Sequence, residues 1–177
     1  MPNYRRIWQK GGIYFFTMAL QERSGNDLLV RCIDPLRLAI KQVRSKYPFK
    51  IHSWVVLPDH MHCMIELPPH EADFALRVRL IKRQFSVMLP STERSRMSRR
   101  NRGELGIWQQ RYWEHLIRDE SDYNSHMNYV HFNPVKHGLV TKVADWPYST
   151  FHKWSTRGKY SENWEQDTSA MILDHDE

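Results

Sequence analysis

The run Leu57-Pro58-Asp59-His60-Met61-His62-Cys63-Met64-Ile65-Glu66-Leu67 has the alternation of a β-strand. Successive side chains of a strand point to opposite faces. One face therefore carries His60, His62, Met64 and Glu66, and the other carries Met61, Cys63, Ile65 and Leu67. The second face is apolar and predicts a core, whereas the first presents two neighbouring imidazoles.

Paired imidazoles of this kind can hold a divalent metal ion. Both rings must be neutral, and a third ligand must come from elsewhere in the fold. A His-x-His pair on a half-exposed strand also occurs with no metal role. The pair alone therefore leaves both interpretations open.

Three further strands are predicted around the histidine strand. Gly11-Gly12 leads into the apolar run Ile13–Leu20, which is too continuous for an edge strand and predicts a central one. Residues Ile51–Leu57 predict a second strand, which the short turn Pro58-Asp59 folds back into the histidine strand as a hairpin. Trp113–Arg118 predicts the fourth strand.

Three helices alternate with these strands. Leu36, Ile40, Val43 and Tyr47 recur at helical spacing, and Asp34-Pro35 is suited to begin that helix, which is expected to end near Pro48. An apolar stripe over 74–88 predicts the second helix, and residues 119–132 predict the third. Asn133-Pro134 is interpreted as a helix break or a short capped turn.

The resulting order β-α-β-β-α-β-α predicts an α+β fold. Its first six elements match a ferredoxin-like split βαβ arrangement, an antiparallel sheet with two helices on one face. The third helix can then cover the opposite face, toward which His60 and His62 point. A single domain over 1–161 is expected, with a basic arm at 1–10, an Arg-rich loop at 90–106 and an acidic tail at 162–177.

Charge is unevenly distributed along the chain. Residues 162–177 contain six acids and no Lys or Arg, so residues 1–161 carry 26 basic against 14 acidic residues, a net charge of +12. A basic body interleaved with aromatic residues favours nucleic acid as a partner, although ordinary surface solubility explains the same charge. The cations singled out for DNA contact are Arg5, Arg6, Arg79, Lys82 and Arg83.

Composition excludes several other classes of protein. The chain has 177 residues and is 41% hydrophobic, which suits one core. No apolar run approaches the roughly 20 residues of a membrane span, and no secretory pattern opens the sequence. Because Cys32 and Cys63 are the only cysteines, neither a disulfide framework nor a cysteine-based zinc site is indicated. We expect a cytoplasmic, nucleoid-associated protein.

The predicted third helix carries the remaining candidates for chemistry. His126, Tyr129 and Asn133 fall on one face at spacings of three and four, so a tyrosine one turn before a carboxamide can meet the histidines. Each residue also has an ordinary structural interpretation: Tyr129 as core, His126 as surface, and Asn133 as the cap before Pro134.

Seven stretches of the chain, in their order along residues 4–160, resemble the REP-associated tyrosine transposases. These belong to the single-tyrosine branch of the HUH endonucleases and have the IS200-like transposase fold. The stretches are Tyr4-Arg5-Arg6, Gly11–Thr17, Trp54–His62, Trp108-Gln109, Tyr112–His115, Tyr129–Gly138 and Asp145–Phe151.

The resemblance implies roles for four residues. His60 and His62 would be metal ligands, Tyr129 the nucleophile and Asn133 the third ligand, at a position where related single-tyrosine enzymes have a glutamine. The implied cofactor is a divalent ion, Mg²⁺ or Mn²⁺. Neither the Arg-rich loop nor the acidic tail receives a role from the resemblance.

The resemblance also implies the reaction and its substrate. A monomeric enzyme would cleave and rejoin single-stranded DNA hairpins of repetitive extragenic palindromes beside a short flanking recognition sequence, through a 5′-phosphotyrosine intermediate. Two alternatives are an HUH relaxase or replication initiator, and a hairpin-binding module with a silent site. The retained His60, His62 and Tyr129 argue against the module, and no helicase or priming domain is present in the chain to support the initiator.

Overall fold

The computed structural model of the protein describes residues 6–98 and 106–165. Arg5, part of the predicted Arg-rich loop and most of the acidic tail lie outside these ranges. The strands are β1 (Ile13–Ala19), β2 (Lys50–Val56), β3 (His60–Glu66) and β4 (Trp113–Leu116). The helices are α1 (Leu28–Arg31), α2 (Ile33–Lys46), α3 (Phe74–Met88), α4 (Ser91–Ser98), α5 (Glu120–Lys136) and α6 (Phe151–Thr156), and a 3₁₀ turn spans Val143–Asp145.

The four strands form one antiparallel sheet in the order β2-β3-β1-β4. This order confirms the predicted α+β, ferredoxin-like arrangement and the central position of the first strand. The hairpin between β2 and β3 is also confirmed, so His60 begins the strand immediately after the turn.

Each face of the sheet packs against its own helical layer, as the alternation of β3 predicts. On one face, α2 and α3 cover Phe16, Met61 and Cys63. On the other, α5 packs against β2 and β3 and buries Phe15, Val55 and Met64 with its own Met127 and Val130. The prediction that a helix covers the histidine face of the sheet is therefore confirmed.

The outer edge of the sheet along β2 is closed by the segment that follows α5. Trp146 Nε1 donates to Val56 O at 2.9 Å, Trp154 Nε1 donates to His52 O at 2.7 Å, and Thr150 N donates to Trp54 O at 2.9 Å. These bonds occupy strand carbonyls that an exposed edge would leave open to another chain. They also hold the connection beyond α5 against the sheet.

Two predicted details were wrong. Helix α5 does not break at Asn133-Pro134 but continues to Lys136 with Pro134 inside it. Proline costs a helix one hydrogen bond, yet residues 129–134 are all buried, and that packing outweighs the loss. The first part of the predicted Arg-rich loop is helix α4.

No helix in the described ranges is long and apolar enough to cross a bilayer. Cys32 and Cys63 are both buried, and the structure does not join them.

The start of α5 gives a test of how this helix is held. Asp119 accepts a hydrogen bond from Asp122 N at 2.8 Å and caps the helix. We expect Asp119→Ala to lower the free energy of unfolding by about 1 kcal/mol and the melting temperature by about 2–4 °C. Asp119→Asn, whose carboxamide oxygen can still cap, should retain most of the stability in urea titrations. Equal losses in both variants would show that the cap does not act through this bond.

Candidate active site

His60 and His62 lie side by side on β3, beneath α5. Their side chains are buried, at 2% and 0% exposure, and their ring centroids are 4.9 Å apart at an interplanar angle of 85°. Two imidazoles this close in a buried site can converge on one small cation. The two histidines predicted as a pair are therefore adjacent in the folded chain.

Hydrogen bonds at Nδ1 fix the orientation of both rings. Asp59 Oδ1 lies 2.7 Å from His60 Nδ1, and Thr17 Oγ1 lies 2.8 Å from His62 Nδ1. An ionised carboxylate can only accept, so His60 Nδ1 donates to Asp59. The longer 3.3 Å contact from Arg23 Nη2 does not change this assignment. This tautomer places the lone pair of His60 on Nε2, an atom through which imidazole binds metals.

Asp59 is held ionised by its neighbours. Burial by itself would raise the pKa of Asp59, but the hydrogen bonds from His60 and from Arg23, whose Nε is 2.7 Å from Oδ2, lower that pKa to about 2. Asp59 is therefore a permanent acceptor for His60, and Arg23 holds the carboxylate in place.

One line of residues on α5 faces the histidine pair. Tyr129 lies against His62, with ring centroids 5.3 Å apart, and His137 at the helix end lies against His60 at 5.0 Å. Asn133 is one turn from each of them and so lies on the same line. Its Oδ1 is buried and has no hydrogen-bond partner within the part of the chain that the structure describes. The carboxamide oxygen is thus an unsatisfied acceptor on the line that faces the two imidazoles.

Lys136 lies over the ring and hydroxyl of Tyr129. Lys136 Nζ is 3.3 Å from Tyr129 Oη and 4.9 Å from the centroid of the ring. Tyr129 is only 1% exposed, whereas Lys136 is exposed. An ammonium group thus sits between the buried phenol and solvent.

A second group of possible metal ligands adjoins this site. His115, Asp122 and His126 present ligand atoms within 4.8 Å of one another. Asp122 Oδ2 lies 2.8 Å from His115 Nε2, and Asp122 Oδ1 lies 3.0 Å from His126 Nδ1. The carboxylate is already engaged by both rings, so this cluster is satisfied as a link between β4 and α5. The predicted His126 belongs to this cluster and is buried, not on the surface.

The predicted DNA-binding cations lie away from Tyr129. Arg6, Arg79, Lys82 and Arg83 line one cavity of about 570 Å³, between α3 and residues 106–112. Helix α3 covers the face of the sheet opposite to α5, so these cations and the tyrosine are on different layers. Arg5 lies outside the described residues.

Several residues of the site were not predicted from the sequence. Asp59 and Thr17 lie within stretches that carry the family resemblance but received no role from it, because their contacts with the histidines exist only in the folded chain. His137 and Lys136 were missed for a specific reason: with the helix ended at Asn133, the spacing of 129, 133 and 137 was not recognised as one face. A helix continued through Pro134 would have revealed both residues.

Comparisons with known proteins agree with one another. Residues 18–133 match the family model described as IS200-like transposase. A REP-associated tyrosine transposase of Escherichia coli (strain K12) is 44% identical over 96% of this chain and 94% of its own. A protein of Haemophilus influenzae is 45% identical over 93% of each chain. A solved structure of a REP-associated tyrosine transposase bound to a REP hairpin is 45% identical, has a TM-score of 0.82, and is matched over 94% of this chain and 93% of that one.

The hydrogen bond from His60 to Asp59 allows a test of whether the histidine pair binds a metal ion. We expect Asp59→Ala to weaken Mn²⁺ binding by about 10–100-fold in calorimetric titrations, because the His60 ring loses its fixed tautomer and orientation. Asp59→Asn, which keeps one acceptor, should give an intermediate loss, and Asp145→Ala, at an exposed acid elsewhere, should give none. Unchanged affinity in Asp59→Ala would show that His60 is not oriented through this carboxylate.

Proposed function

The chain belongs to the IS200-like transposase family, among the REP-associated tyrosine transposases, and we therefore propose that it cleaves and rejoins palindromic DNA hairpins with Tyr129 as nucleophile. The observation that carries the proposal is the convergence of Tyr129, Asn133 and the two histidines in one buried site. A tyrosine beside paired imidazoles and under an ammonium group is equipped for phosphoryl transfer.

The reaction conserves one phosphodiester bond throughout. Tyr129 Oη attacks the scissile phosphorus and forms a phosphotyrosine with the 5′ side of the break. The bond from phosphorus to the 3′ oxygen of the preceding nucleotide breaks, and that oxygen leaves as a 3′-hydroxyl carrying the proton that the phenol loses. A 3′-hydroxyl from another end then attacks the phosphotyrosine, which restores the phosphodiester and the phenol. No nucleotide cofactor is required.

Lys136 makes the phenol a better nucleophile. An ordinary tyrosine has a pKa near 10 and is almost wholly protonated at neutral pH. An ammonium group 3.3 Å from Oη stabilises the negative charge that develops as the proton leaves. The same group can interact with a phosphate oxygen as DNA enters, since Lys136 lies on the exposed side of Tyr129.

The residues present fit a divalent metal ion held by His60, His62 and Asn133. The support is the buried, unsatisfied Asn133 Oδ1, together with two imidazoles oriented through Nδ1. When bound, such an ion would polarise the scissile phosphate. Imidazole donors suit Mn²⁺ better than Mg²⁺, whose preferred ligands are oxygens. We propose Mg²⁺ or Mn²⁺ at this site and not at the His115 cluster, whose carboxylate is already engaged.

The proposed substrate follows from the relatives and from charge. A relative at 45% identity is solved with a REP hairpin bound, and the body of this chain is strongly basic. We extend the hairpin substrate to this protein and propose that Arg6, Arg79, Lys82 and Arg83 contact the strand. Arg5, which precedes Arg6 in the sequence, is proposed to contribute as well. The enzyme would act on DNA at the nucleoid.

Covalent capture tests the nucleophile. A 3′-labelled palindromic hairpin incubated with Mn²⁺ should give a labelled protein adduct on a denaturing gel, and Tyr129→Phe should abolish it. Tyr123→Phe is the matched control, because Tyr123 lies on the same helix and should leave adduct formation intact. Adduct formation that persists in Tyr129→Phe would contradict the assignment of Tyr129 as the nucleophile. A hairpin that binds tightly but is never captured would favour a binding module.

Substitution of Lys136 tests the activation of Tyr129. We expect Lys136→Gln to slow adduct formation by about 10–100-fold at pH 7, and Lys136→Arg to recover much of the rate. Because hydroxide can take up the phenol proton in place of assistance from the lysine, the deficit of Lys136→Gln should shrink as pH rises. Lys142→Gln, at an exposed lysine beyond the helix, is the control. A deficit that is constant from pH 6 to 9.5 would indicate a purely structural role.

A further inference from the structure

We propose that the pocket between α2 and residues 148–150 is a docking site for an acidic peptide segment of a partner protein, which inserts one large apolar side chain. The pocket has a volume of about 240 Å³. It is separate from the proposed catalytic site and would bring a partner to the protein without taking part in cleavage.

The walls of the pocket are mainly aliphatic. They are formed by Ile33, Leu36, Ile40, Ile51 and Val56. The volume is below the roughly 300–1,000 Å³ of pockets that enclose whole small molecules, and it suits one large side chain. Nucleic-acid bases favour stacking on aromatic rings, so these aliphatic walls match an apolar side chain better than a base.

An unsatisfied donor lines the same pocket. Trp54 is only 6% exposed, and its Nε1 has no hydrogen-bond partner within the described part of the chain. The hydroxyls nearby are engaged inside the fold, because Ser149 Oγ accepts from Phe151 N at 3.1 Å. Thr150 Oγ1 likewise accepts from Trp54 N at 2.8 Å. A buried indole N–H is nearly always hydrogen-bonded, so Trp54 indicates a ligand that brings an acceptor, such as a main-chain carbonyl.

The rim of the pocket is positively charged. Arg37 lines it with a side chain that is 58% exposed, and its guanidinium carbon lies 5.9 Å from the centroid of the Tyr148 ring. Lys41 follows one turn later on α2 and is exposed. Asp34 lies 3.8 Å from Arg37 but is itself 90% exposed, so this ion pair is weak and can be exchanged for a ligand. Because α2 carries four basic residues against one acid, the complementary partner is acidic.

The main chain of β2 is already paired beside the pocket. Thr150 N donates to Trp54 O, and Val56 N donates to Tyr148 O, both at 2.9 Å. A partner is therefore held by its side chains and charges and does not add a strand to the sheet.

The pocket and the proposed nucleophile lie on opposite faces of the sheet. Trp54 packs in the core beneath α2 and α3, whereas its neighbour Val55 packs with Tyr129 beneath α5. Successive side chains of a strand point to opposite faces, so a peptide in the pocket does not cover Tyr129.

Synthetic peptides and the indole signal of Trp54 test this site. The probe is fluorescein-Asp-Asp-Phe-Asp-Asp-amide, and two matched probes carry alanine in place of the phenylalanine or lysine in place of each aspartate. Fluorescence anisotropy should show saturable binding that is about 30-fold weaker for the alanine probe and absent for the lysine probe. The chain has seven tryptophans, and the indole signal missing from the ¹⁵N NMR spectrum of Trp54→Phe identifies Trp54. That signal should shift as the phenylalanine probe binds.

Charge reversal on the protein separates the pocket from the overall charge. Arg37→Glu should weaken binding of the phenylalanine probe by about tenfold. Arg111→Glu makes the same change in net charge at an exposed arginine just before β4, at the other edge of the sheet, and should have no effect. Because Arg37 is exposed, its variant should keep the wild-type melting temperature, and adduct formation with the hairpin should be unchanged.

Several results would overturn the proposal. No saturable binding of the phenylalanine probe below about 1 mM, equal binding of the alanine probe, or binding that leaves the Trp54 signal unmoved would each show that no apolar anchor enters the pocket. Hairpin DNA that displaces the probe and shifts the Trp54 signal would assign the pocket to nucleic acid. The full chain carrying Met171→Ser, Ile172→Ser and Leu173→Ser should give an unchanged Trp54 signal without any probe. A shift in that variant would assign the pocket to the acidic C-terminal segment of the chain itself.

Discussion

Burial of α5 against the histidine face of the sheet brings all the candidate catalytic groups together. Phe15, Val55 and Met64 pack against Met127 and Val130 of the helix. That apolar contact fixes how α5 lies on β3, and so which of its residues face the imidazoles. Tyr129 contacts His62 from the buried part of the helix, Asn133 is buried one turn further on, and His137 lies against His60 just beyond the helix end.

The polar site is maintained inside this apolar layer by hydrogen bonds that the sheet supplies. Thr17 on β1 and Asp59 at the hairpin turn each engage one histidine at Nδ1, and Arg23 holds Asp59. Leaving such groups unsatisfied would cost about 1–3 kcal/mol each. Asn133 Oδ1 is buried in this site and lacks a partner among the described residues. An unsatisfied acceptor facing two oriented imidazoles is the arrangement a bound cation would complete.

The sheet separates the candidate catalytic residues from the cationic surface. Tyr129 and the histidines lie under α5, whereas Arg79, Lys82 and Arg83 line a cavity beside α3 on the opposite layer. Strand β1 is common to both, because Ala19 pairs with His60 on one side and bonds to Gln109 on the other. A substrate that contacts both layers must therefore pass the edge of the sheet.

Alternation and helical spacing were sufficient to predict the ferredoxin-like sheet, the two-faced histidine strand and the covering helix, because burial imposes those periods locally. They also identified His60, His62, Tyr129 and Asn133 as candidates; the structure places Tyr129 against His62 and buries Asn133 one turn further along α5. The continuation of α5 through Pro134 was decided only by tertiary packing, which outweighs the local cost of proline. The same packing added Lys136 and His137 to the site. Tertiary packing also placed Arg79, Lys82 and Arg83 on the layer opposite to α5. No local sequence pattern encodes such a long-range relation.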